Sequence, residues 1–175
     1  MGVCFSSENI EELKDLKYDD VDYFSFKNME FYAKIVDVYD GDTCTVIFKF
    51  HDEIVKFKCR CIGYDSPEMK PSKTISDDVR LILISNAHKS KNYFINQLTS
   101  IDIDPNTEYL KKEKKELLNN NKKIIKIKTH DWDKYGRLLT EFYNDKGECV
   151  NDLMIKNCYG YAYDGGTKKV IDINV

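Results

Sequence analysis

The sequence predicts an α+β fold that is mainly β: a five-stranded closed barrel of the oligonucleotide/oligosaccharide-binding kind, with helices packed on it and a charged helical segment inserted mid-chain. Three observations predict it. Between residues 31 and 61, apolar and polar residues alternate in consecutive runs broken by polar corners, the period-2 signature of antiparallel strands. Two further strand-like runs, Ile124–Lys128 and Leu138–Tyr143, follow a long stretch with helical spacing. The composition, 42% apolar and 33% charged over 175 residues, supports one domain with a real core and leaves too little chain for two ordinary ones.

The chain opens on an acidic leader, residues 1–28, expected to be flexible. From Met1 to Lys27 seven acids oppose three lysines. Met1-Gly2-Val3-Cys4-Phe5-Ser6 fits the pattern for N-myristoylation of Gly2, with Cys4 beside it for palmitoylation. One myristoyl chain holds a protein only marginally at a membrane, so the second acyl group would matter, and the acids that follow would be repelled by an anionic leaflet. Two readings stand: an acyl anchor at the cytoplasmic face of a membrane, and a solvated leader that happens to begin Met-Gly. No apolar run approaches transmembrane length and no secretory leader is visible. The six cysteines lack CxxC spacing and are expected to be reduced, mostly core residues of an intracellular protein. From residue 28 on, 24 bases meet 23 acids. That near-neutral body argues against tight nucleic-acid binding through bulk charge and leaves the holding to local patches.

The first strand is Phe31–Tyr39. Asp40-Gly41-Asp42-Thr43 follows; Gly41 permits a tight backbone, and Asp40 and Asp42, two apart, can lean to one side. Thr43–Phe50 puts Cys44, Val46, Phe48 and Phe50 on one face, and His51-Asp52-Glu53 makes a corner. The return strand sets Val55, Phe57, Cys59 and Cys61 on one face and Lys56, Lys58 and Arg60 on the other. Lys56 and Lys58 are expected on a solvated outer face. Asp42 stands where the outgoing strand begins and Asp65 where its return partner ends, so a hairpin would bring two carboxylates together. Pro67 stops the pairing at Asp65-Ser66-Pro67-Glu68. Converging carboxylates repel unless a cation sits between them, and a hard divalent ion, calcium above all, suits oxygen ligands.

A helix comes next, its core face expected at Leu83, Ala87, Phe94 and Leu98, with Asp77-Asp78 suiting its first turn and His88 at the surface. Asp104 to Leu118, closed by Asn119-Asn120-Asn121, reads as a second charged segment. From Lys111 to Lys128 eight lysines meet two glutamates, either a solvated face or a nucleic-acid contact. Asn144-Asp145-Lys146-Gly147 is a turn, and Val150–Lys156 a short helix that would cap the barrel. The tail from Tyr159 to Lys169 is rich in tyrosine and glycine; tyrosines suit base stacking or phosphate bonding.

Three segments, Asp40-Gly41-Asp42-Thr43, Arg60 followed by Asp65-Ser66-Pro67-Glu68, and Asp133-Lys134-Tyr135-Gly136-Arg137, resemble the signature segments of the staphylococcal nuclease family, in the family's order and with its spacing between Arg60 and Glu68. The likeness runs from about Phe31 to about Lys169, interrupted by the inserted segment. It implies a nuclease-type barrel over residues 29–175 and a calcium-dependent endonuclease acting on DNA and RNA, with single strands preferred and 3′-phosphates as products. It implies Asp42 and Asp65 as direct calcium ligands, the Ser66 carbonyl as a further one, and Asp40 acting through water. Glu68 would orient or deprotonate the attacking water, and Arg60 and Arg137 would clamp the phosphate. Lys134, Tyr135, and Tyr161 or Tyr163 would lie beside the nucleotide. Ser66 departs from the family's threonine, a change of little consequence for a carbonyl ligand. No obligate protein partner is implied. Two other functions remain on the sequence alone: a catalytically silent nucleic-acid-binding module, and a membrane-tethered interaction protein whose leader is the working part.

Overall fold

Alternating β-branched and aromatic residues draw the chain into strands wherever one face can be buried. The computed structural model describes residues 7–107 and 109–166; Gly2, Cys4 and the end of the tail, Thr167–Lys169, lie outside the described residues. The strands are β1 (Glu30–Val38), β2 (Thr43–Phe50), β3 (Glu53–Cys61), β4 (Tyr64–Asp65), β5 (Ile125–Trp132), β6 (Leu138–Tyr143) and β7 (Tyr161–Ala162). The helices are α1 (Ser7–Lys14), α2 (Asp77–Leu98), α3 (Lys111–Asn120) and α4 (Val150–Lys156).

Five strands close into a barrel in the order β1–β2–β3–β6–β5, with β5 returning to β1. Neighbours are antiparallel except β3 and β6, which run parallel. The barrel is the five-stranded form expected from the alternating runs. Inward residues such as Ile35, Val46, Cys59, Ile127 and Phe142 are fully buried, and α2 adds Ala87, Phe94, Ile95 and Leu98, with Phe94 edge-on to Phe142. Each large side chain so buried contributes roughly 1.5–3 kcal/mol.

Several local expectations need correction. Phe26, inside the segment expected as a flexible leader, is 3% exposed and makes ring contacts with Phe24, Phe31, Phe48, Phe50, Phe57 and Trp132. The packed body therefore reaches back before residue 28, because Phe26 buries its ring among aromatics of β1, β2, β3 and β5. Leu83 is only half-buried, while Ile95, unassigned from periodicity, is in the core. His88 is half-buried rather than at the surface. β5 continues past Lys128 to Trp132, since its outer half pairs across to β6. The inserted segment becomes α3 lying against β1, with Leu118 in the core and Lys114 itself 5% exposed. Of the eight lysines between Lys111 and Lys128, Lys123 pairs with Asp145 and Lys126 with Glu30.

Asp65 is not on the return strand. β3 ends at Cys61, Gly63 takes a left-handed φ of 88°, and Tyr64–Asp65 then pairs with Tyr161–Ala162 in a separate two-stranded sheet. The tail of the chain is thus part of what holds Asp65 in place.

Candidate active site

The turn that delivers Asp42 is fixed from four sides. Tyr39 N–H donates to the Thr43 carbonyl at 2.8 Å, and Cys61 N–H donates to the Asp42 carbonyl at 2.8 Å. The buried Tyr64 hydroxyl donates to the Gly41 carbonyl at 2.6 Å, and Asp42 N–H donates to Asp40 Oδ1 at 3.1 Å. A Cβ on Gly41 would lie 2.0 Å from Ser90 Oγ on α2 and 2.9 Å from Ser66 Cβ, so only glycine fits where the turn, β4 and α2 meet. Asp42 and Asp65 are consequently 2% and 1% exposed.

Arg60 stands between them. Its Nη1 pairs with Asp42 Oδ1, and its Nη2 lies 2.5 Å from Asp65 Oδ1 and 3.3 Å from the Tyr64 carbonyl. Burial alone would lower the pKa of this guanidinium; the charge of Asp42 and hydrogen bonds to both carboxylates outweigh it, and the group is held firmly protonated. The remaining carboxylate oxygens are also engaged. Asp42 Oδ2 accepts from Ser66 N–H at 2.7 Å, Asp42 Oδ1 accepts from the Thr43 hydroxyl at 2.8 Å, and Asp65 Oδ2 accepts from the Tyr161 hydroxyl at 2.7 Å.

Asp40 adds a third carboxyl to the cleft. Burial first, and the neighbouring Asp42 charge second, push its carboxyl from the ordinary 3.8 up to about 7. The donors are carboxylates, a set suited to a hard divalent cation such as calcium rather than to zinc or copper. Among the described residues no three acids, histidines or cysteines converge ready to hold a metal. Arg60 occupies the ground between Asp42 and Asp65, so an added cation and this guanidinium would compete for the same two carboxylates.

A cleft of about 340 Å³ opens over this pair, and its lining includes Asp40, Asp42, Arg60, Asp65, Ser66 and Glu68. Lys134, Tyr135, Arg137 and Tyr163 line it as well, together with Tyr39 and Pro67. Glu68 is exposed at the mouth, just past the proline that ends β4's course. Of the two tail tyrosines left open by sequence, Tyr163 lines the cleft, whereas Tyr161 spends its hydroxyl on Asp65. Burial, then that hydrogen bond, raise the Tyr161 pKa.

Arg137 is aimed by a residue to which the sequence reading gave no role. Asp133 accepts Arg137 Nε–H on Oδ2 at 2.6 Å, while its Oδ1 accepts the backbone N–H groups of Tyr135 and Arg137 at 2.8 and 2.9 Å. Against the opposing effect of burial, these bonds lower the Asp133 pKa. One carboxylate thus builds the β5–β6 turn and orients the guanidinium. Arg137 Nη1 reaches the Thr43 hydroxyl at 3.4 Å, and its Cζ lies 5.5 Å from the Tyr135 ring centre. Thr43 links the two signature turns, donating to Asp42 while meeting Arg137. The four-residue spacing of Asp133 and Arg137 around a glycine was the available signal for the first of these roles; nothing in the sequence marked the second.

Among the described residues no helix is long and apolar enough to cross a membrane. A family model described as "Staphylococcal nuclease homologue" matches residues 58–170, a span that takes in Arg60, Asp65 to Glu68 and Asp133 to Arg137 but not Asp40 to Thr43. No curated protein matches the chain.

Proposed function

The chain belongs to the staphylococcal nuclease family, and we propose that it is a calcium-dependent endonuclease that hydrolyses phosphodiester bonds of DNA and RNA, prefers single strands and leaves 3′-phosphates. The observation that carries this reading is the convergence on one cleft of Asp40, Asp42, Asp65 and Glu68 with Arg60 and Arg137, residues separated by up to most of a hundred positions in sequence.

Asp42, Asp65 and the Ser66 carbonyl would hold the calcium ion, with Asp40 acting through water. When bound, the ion supplies Lewis-acid polarisation of a phosphate oxygen. The chain's own residues do the rest. Arg137, preoriented by Asp133, donates to the phosphate as negative charge builds on its oxygens. Arg60 changes partner, from the two carboxylates to the substrate phosphate; a planar guanidinium suits both. Glu68, exposed at the mouth, accepts the proton of the attacking water. Tyr135, Lys134 and Tyr163 lie where a nucleoside next to that phosphate would rest, and Tyr161 steadies Asp65. Acylation of Gly2 and Cys4 is proposed as a tether to the cytoplasmic face of a membrane, independent of this chemistry.

The test is turnover of single-stranded DNA with calcium by Arg137→Ala beside wild type. Loss of one such preorganised donor is expected to lower turnover by at least about a hundredfold, with 3′-phosphate ends on the wild-type products. Wild-type binding without cleavage would instead favour the silent nucleic-acid-binding module.

A further inference from the structure

At the edge of the cleft stands a second aromatic–cation pair that the proposed chemistry leaves unused. Tyr39, 54% exposed, lines the cleft, and Lys58 Nζ lies 5.5 Å from its ring centre. Lys91 of α2 donates to the Tyr39 carbonyl at 3.0 Å, so two ammonium groups gather around this residue. Tyr135, 73% exposed, repeats the arrangement with Lys134 Nζ 5.1 Å from its ring centre. Tyr39 comes from the end of β1 and Tyr135 from the turn before β6. Going round the closed barrel from β1 through β2 and β3 to β6, Arg60 on β3 is met between the two, and all three residues line the cleft.

Along β3 itself, across the direction of that order, a basic stripe leads away from Arg60. Lys56, Lys58 and Arg60 alternate outward; their partners across β2 are Ile47, Thr45 and Thr43, and one strand further, on β1, the exposed Asp37 pairs with Thr45. Residues two apart on a strand are about 7 Å apart, close to the repeat of phosphates along an extended sugar–phosphate chain. Aromatic faces that hold bases, next to cations that track a backbone, are the recurring means of binding single strands on barrels of this kind.

We propose that Tyr39 and Lys58 form a second nucleotide subsite, so that the cleft grips a single strand on both sides of the phosphate at Arg60 and Arg137: one base on Tyr39, one beside Tyr135, and the next phosphate on Lys58. This deepens the nuclease reading and rests on it. The preferred substrate is then an internal linkage of a single-stranded oligonucleotide rather than a terminal nucleotide, and each added nucleotide on the Tyr39 side tightens binding until Lys56 is passed.

Fluorescence anisotropy with EDTA present tests this without turnover, using a labelled single-stranded hexanucleotide and, as competitor, a nucleoside 3′,5′-bisphosphate that fills only the Arg137 side. Tyr39→Ala and Lys58→Ala are expected to weaken the hexanucleotide roughly tenfold or more each, to leave competition by the bisphosphate within about twofold, and to keep wild-type unfolding midpoints. Lys126→Ala, on the far side of the barrel sheet, should alter neither. Unchanged hexanucleotide affinity in both variants, with wild type binding both ligands, overturns the subsite and leaves the nuclease reading standing. A wild type that binds neither ligand, with or without calcium, overturns both. Equal loss for hexanucleotide and bisphosphate makes Tyr39 and Lys58 part of the Arg137 side and likewise overturns a second subsite.

Discussion

Arg60 and Asp65 meet through Nη2 and Oδ1 at 2.5 Å, and the same guanidinium holds Asp42 with its other nitrogen. The residue expected to meet substrate is therefore also the internal countercharge of the two carboxylates expected to meet a metal. With side chains 11%, 2% and 2% exposed, all three are largely withdrawn from water.

Arg60→Met should leave two buried carboxylates without a cation. Removing one partner of a buried pair costs about 3–5 kcal/mol, and the loss should appear in urea unfolding with EDTA. Saturating calcium should return much of it, since a divalent ion takes the vacated ground. A variant as stable as wild type in EDTA would show that Arg60 does not neutralise these acids in solution.

The contribution of Asp40 to the stability of the metal-free protein should fall as pH rises from about 4 to 7. The Asp40 carboxyl loses its proton near 3.8 when unfolded and near 7 when folded. Between those values the folded state binds the proton that the unfolded state has released, so rising pH favours unfolding through this window. Asp40→Asn should flatten that part of the urea-midpoint profile. The same slope in the variant would assign it to another group.

Gly41→Ala should destabilise the fold by about 1–3 kcal/mol, the usual cost of an overpacked site. The new methyl would strike Ser90 Oγ and Ser66 Cβ, and the turn carrying Asp40 and Asp42 would have to move. Turnover should drop with stability. Adding Ser90→Ala should recover part of the stability, because the nearest clashing atom is gone; no recovery would place the strain elsewhere.

Asp133→Asn keeps an oxygen for the two backbone N–H groups of the turn but cannot accept from Arg137 Nε in the same way. The unfolding midpoint should change little, while turnover should fall about tenfold, the equivalent of one charge-assisted hydrogen bond. Normal turnover would mean that Arg137 needs no such support.

How much of this was legible in the sequence varies with the physics that sets each feature. The bounds of Thr43–Phe50, Leu138–Tyr143 and Val150–Lys156 follow from local periodicity, and the structure reproduces them. Phe26 was missed because its burial depends on rings brought from β1, β2, β3 and β5, which no local pattern encodes. The placing of Asp65 was missed because a left-handed Gly63 turns the chain out of β3 toward a strand almost a hundred residues away. The motifs put Asp42, Asp65 and Arg60 in one site, but they say nothing of which charge neutralises which. That is decided by burial, and the contest between Arg60 and a cation emerges only once all three side chains share a dry space.

The measurement that bears most directly on the nuclease reading is release of acid-soluble product from denatured DNA across a calcium titration, with wild type and Glu68→Ala side by side. Wild-type activity should rise from background with calcium, vanish on chelation and fall by orders of magnitude in the variant. Equal background rates in the two proteins at every calcium concentration would contradict it.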